Sequence, residues 1–65
     1  MPPVLPKATL LAIKRALISA RAVVQDATAT ARRAGDTNFA DRLRGIAERL
    51  ADELDYVEWA LANLP

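Results

Sequence analysis

Between Pro6 and Pro65, one residue in this 65-residue chain can end a helix outright: Gly35, in the stretch RRAGDTNFA. Residues 7 to 34 hold neither Gly nor Pro and are rich in Ala and Leu, both strong helix formers. Pro6 suits the first helical turn, where a missing N–H is not needed. Arg32 and Arg33 fall in the last turn, where cations favour the helix dipole. Gly35 fits the position just past the helix end. Asp36, Thr37 or Asn38 can cap a second helix. Gly45 costs that helix ~1 kcal/mol relative to Ala without ending it. The expected fold is all-α: an antiparallel two-helix hairpin, with helices at about 6–34 and 37–63. Residues 1–5 read as a proline-rich arm and 6–65 as one helical-hairpin domain.

The first helix carries Leu10, Ile13, Leu17, Ala20, Val24, Ala27, Ala31 and Ala34 at alternating steps of three and four, a heptad seam. The second carries Phe39, Leu43, Ile46, Leu50, Leu54, Val57, Leu61 and Leu64, with one extra step of four near its middle. That extra step predicts a local relaxation of a left-handed supercoil. Folding at Gly35 pairs Ala31 with Leu43, Val24 with Leu50, Ala20 with Leu54, Leu17 with Val57, Ile13 with Leu61 and Leu10 with Leu64. The numbers in each of these pairs sum to 74, and Ala27 with Ile46 sums to 73, so one register aligns both seams.

The charge pattern agrees with that register. Residues 1 to 34 hold six basic residues and one acidic; residues 35 to 65 hold three basic and seven acidic. A basic half can mark a nucleic-acid face. Here the hairpin sets Lys7, Lys14, Arg15 and Arg21 alongside Asp52, Glu53, Asp55 and Glu58. Arg44–Glu48 and Arg49–Glu53 have i,i+4 spacing for further pairs.

Two surfaces stand out. At about 100° per residue, Trp59 lies about 180° from the second helix's seam and Tyr56 about 240°. Asp41, Glu48, Asp52 and Asp55 share that outward face. Two readings of the rings follow. Pro2, Pro3, Val4 or Leu5 folds over the indole, or Trp59, Tyr56, Asp55, Asp52 and Glu48 bind a partner, since Trp and Tyr are enriched in interface hot spots. On the first helix, Leu11, Ile18, Arg15 and Ala22 lie off the seam. Over residues 8 to 24 this helix is apolar nearly all round, and such a helix is buried on more than one side. The pattern predicts a homodimeric four-helix bundle with the first helix central and those four residues at the dimer interface.

Catalysis is not expected. The chain has no His or Cys and one serine, Ser19, so a nucleophile lacks its usual activating base. Carboxylates on adjacent helical turns, such as Glu48, Asp52 and Asp55, supply too few ligands for a specific metal site. No phosphate-binding glycine loop is present. No cofactor is implied. The apolar run ATLLAI stops at Lys14–Arg15, short of the ~20 residues that a membrane span needs. Ser19–Ala22 looks like a signal-cleavage site, and residues 1 to 25 lack acids as organelle presequences do. Lys14–Arg15 breaks any signal-peptide core, and removing residues 1 to 25 would destroy half the apolar pattern. The lack of cysteine suits the cytoplasm.

The architecture resembles that of Rop-like plasmid copy-number regulators, and Ala51-Asp52-Glu53-Leu54 is similar to a stretch of that family's second helix. The resemblance implies a hairpin dimer that binds paired RNA loops through basic groups. Lys14, Arg15, Arg21, Arg32 and Arg33 are the candidates here. The first helix departs from that family in lacking an aromatic on its outer face. In size and style the chain also resembles the small inhibitors encoded by phages and mobile elements. The reading favoured by the residues is a homodimeric protein-binding module that docks on a larger protein with a basic surface. RNA binding and a purely structural scaffold are the alternatives, and no membrane role is expected.

Overall fold

The computed structural model describes residues 6–64. Two helices account for nearly all of them: α1, Lys7–Arg33, and α2, Thr37–Ala62. No strand occurs among the described residues. The expected arm at residues 1–5 lies outside them, and so does its proposed cover over Trp59.

Pro6 takes the N-cap position of α1, at φ −58°, and its carbonyl accepts from the Leu10 N–H at 3.0 Å. The other end of α1 closes with paired backbone bonds. The Asp36 N–H donates to the Ala31 carbonyl (2.9 Å) and the Gly35 N–H to the Arg32 carbonyl (3.0 Å). This is a Schellman ending, which requires a left-handed residue, and Gly35 supplies it at φ 80°. Asp36 then starts α2: its carboxylate accepts from the Phe39 N–H at 3.0 Å. One residue thus finishes one helix and caps the next, so the connection is three residues long.

The short turn decides how the seams meet. It ties the two helix ends together, and the α2 residues buried nearest to it are small. Ala40 is 1% exposed and Ala47 9%, while Phe39 and Ile46 are 53% and 47% exposed. This corrects the expected seam. The residues of α2 that face α1 are Ala40, Leu43, Ala47, Leu50, Leu54, Val57 and Leu61, and Leu64 continues the row just past the helix end. Their steps of three and four alternate without interruption, so the expected mid-helix relaxation has no basis.

On α1 the seam runs as expected from Leu10 through Leu17, Ala20, Val24, Ala27 and Ala31. Ile13 and Ala34 are exposed at its edge, and Thr28 is buried beside it. Burial of Thr28 leaves no polar atom stranded, because its hydroxyl donates to the Val24 carbonyl at 2.9 Å.

The result is a rod of 48 × 17 × 15 Å with a radius of gyration of 14.9 Å. A compact chain of this length would have about 11 Å. Among the described residues, no large side chain is completely buried. The core is therefore a single thin layer, as expected of a domain this small.

The charged residues pair less than their placement suggests. Among the described residues, Lys14 Nζ meets Glu58 Oε1 at 3.4 Å between the helices, and Arg44 Nη2 meets Asp41 Oδ1 at 3.6 Å within α2. Arg44 thus turns back to Asp41 instead of forward to Glu48, and Arg49 forms no ion pair with Glu53. On an exposed face, water competes with each such contact and the side chains lose entropy by making it.

Candidate functional site

Burial of Leu54 and Val57 against α1 fixes the rotation of the second half of α2. Residues half a turn away must then face outward. Trp59 is 61% exposed and Tyr56 65% exposed. Their i,i+3 spacing brings the rings together, with centroids 6.0 Å apart and planes inclined by 29°. Asp52 lies one heptad before Trp59, and Asp55 one turn before it; both are exposed, as is Glu48. None of these three carboxylates is in an ion pair among the described residues. The face therefore combines a stacked aromatic pair with carboxylates that are not ion-paired.

Asn63 is a part of this site that sequence reasoning missed. Its side-chain amide donates to the Trp59 carbonyl at 2.8 Å, and its backbone N–H donates to the same oxygen at 3.1 Å. The end of α2 is thus clamped on the residue that carries the indole. The signal was present as an Asn just before Leu64-Pro65, a helix-stop pattern.

The hairpin has two unlike flanks. One groove is lined by Arg21, Gln25, Thr28 and Arg32 of α1 and by Arg44 and Glu48 of α2. Seven-residue steps stay on one helix face to within about 20°. Gln25 therefore leads back to Ile18 and Leu11, Ala29 to Ala22 and Arg15, and Glu48 forward to Asp55. All four residues expected at a dimer interface stand on or beside this polar flank, with Leu11 39% and Ile18 50% exposed. The opposite groove is lined by Ala27, Thr30, Ala31, Ala34, Phe39 and Leu43, with Asp36 at the turn. The same steps extend it through Ala20 and Ile13, through Val23, and through Ile46. This apolar flank was not singled out from the sequence, because Phe39 and Ile46 were assigned to the core.

Among the described residues, no group of His, Cys, Asp or Glu converges in a way that could hold a metal ion. No described helix is long and apolar enough to cross a membrane. No family model, curated protein or solved structure matches the chain.

Proposed function

We propose that this chain is a small non-enzymatic protein-binding module, a homodimer that docks on a larger protein and modulates its activity. The observation that carries the reading is the Tyr56–Trp59 pair, stacked and exposed on the face directly opposite the hairpin core. Exposed indoles are uncommon without a use, and a preformed stack needs little ordering when it binds. Glu48, Asp52 and Asp55 give the same face a negative field. A partner with a basic surface and an apolar pocket fits both features: charge sets orientation and on-rate, and the indole carries much of the energy. A nucleic-acid-binding surface is one such target. Docking there in place of nucleic acid would make the module an inhibitor, in the style of small phage or mobile-element regulators. A cytoplasmic setting suits this role.

Rop-like RNA binding is the second reading. It is favoured by Arg21, Arg32 and Arg44 lining one groove, and weakened by Glu48 among them.

Affinity capture from host lysate, with wild type and Trp59→Ala compared, tests the proposal. The expected result is a partner retained by wild type and lost by Trp59→Ala, with helicity by circular dichroism unchanged. Retained capture by the variant, together with salt-sensitive RNA affinity, would move the assignment to RNA.

A further inference from the structure

The hairpin exposes more surface than its mass explains. A folded monomer of this mass exposes roughly 4,100 Å², and this 7.1 kDa chain exposes 5090 Å². Its elongated shape accounts for part of the difference. The excess is nevertheless on the order of 1,000 Å², against the ~800 Å² per partner that a standard stable interface buries.

The apolar flank carries four of the eight large hydrophobic side chains that are exposed among the described residues. Phe39, Ile46 and Val23 are 53%, 47% and 66% exposed, and Ile13 stands at the same edge. The α1 positions between them, Ala16, Ala20 and Ala27, are small and uncharged. A seven-residue step from Ile46 places Glu53 on this flank, and Arg42, three residues past Phe39 and four before Ile46, and Arg49, three past Ile46, stand at its rim. The polar flank differs. There Leu11 and Ile18 are separated by Lys14 and Arg15, and they look across to Asp55 and Glu58.

We propose that the apolar flank, centred on Phe39, Ile46, Val23 and Ile13, is a two-fold interface between copies of this chain. The inference rests on the dimeric part of the reading above and gives it a surface. A second copy is the occupant that the pattern fits. Each flank offers Phe39 and Ile46 on α2, and Ile13 and Val23 set among alanines on α1, so a two-fold can place large side chains of one copy against small ones of the other. The area excess is of the size that one such contact removes. Joining two hairpins here completes a four-helix bundle in which both helices of each protomer touch the partner. The thin core then gains a second layer, and the bulky residues excluded by the tight turn acquire a buried site. The Trp59 face and the polar flank stay outside and free.

The test compares two double variants by sedimentation equilibrium. Phe39→Glu with Ile46→Glu is expected to reduce the particle mass by half, and Leu11→Glu with Ile18→Glu is expected to leave it unchanged. The first variant can lose its fold along with its partner, so a second measurement uses wild-type protein. In a dimer mixed from labelled and unlabelled chains, isotope-filtered NMR reports contacts across the interface. Intermolecular contacts from the Phe39 ring and the Ile46 and Val23 methyls are expected. A dimer whose contacts come from Leu11 and Ile18 would overturn this inference and leave the homodimer standing. A wild-type chain that stays monomeric at tens of micromolar would overturn both.

Discussion

The Lys14 ammonium lies 3.4 Å from the Glu58 carboxylate, and among the described residues this is the one ion pair that joins the two helices. Both groups are partly solvated, with side chains 33% and 58% exposed. Such pairs contribute about 0.2–1 kcal/mol. A double-mutant cycle with Lys14→Ala and Glu58→Ala should give a coupling in that range that shrinks with added salt. Lys14→Ala alone should cost more than the coupling, because its aliphatic stem is half covered at the seam. A coupling well above that range would mean that the hairpin depends on this contact more than its exposure allows.

The two glycines should respond in opposite directions. Gly35 holds φ 80° in the Schellman ending, a conformation that costs a side chain about 1–2 kcal/mol. Gly35→Ala should lower thermal stability accordingly. Gly45 lies inside α2 with open space where a Cβ would be. Gly45→Ala should raise stability by about 1 kcal/mol, or roughly 4–8 °C in Tm for a domain this small. Thermal scans at one protein concentration check both signs.

Ala47 is buried in the helix–helix seam, so Ala47→Leu should destabilise by about 1–3 kcal/mol through overpacking. Denaturant titration measures this. A neutral result would mean that the helices separate easily near the turn, contrary to the Ala40 and Ala47 seam.

Residues 39 and 40, and 46 and 47, show where sequence reading stopped. Each pair offers a large apolar side chain beside an alanine, and hydrophobic periodicity prefers the larger. The choice belongs to the turn, because a three-residue connection ties the helix ends together and the α2 residues buried nearest to it are small. The hairpin and a cap among Asp36, Thr37 and Asn38 were legible because they depend on local chemistry. The outward placement of Trp59 was legible because it follows from Leu54 and Val57, which no register error touched. The charged residues were legible in position but not in pairing, since exposed side chains choose among water and several neighbours at nearly equal energy.

Trp59 is the one tryptophan of the chain, so intrinsic fluorescence reads this site alone. Its emission should be that of a solvated indole. The carboxylates of Glu48, Asp52 and Asp55 should favour quenching by caesium over iodide, compared with free tryptophan, and added salt should reduce that preference. A blue-shifted, quencher-resistant emission would mean that the ring is covered in solution.

The central claim is that this hairpin is one half of a symmetric bundle that leaves the Trp59 face free. Sedimentation equilibrium across a range of concentrations tests it most directly. The account predicts a single species at twice the 7.1 kDa chain mass, giving way to the chain mass only at high dilution. A particle of the chain mass at tens of micromolar, still fully helical, would contradict it.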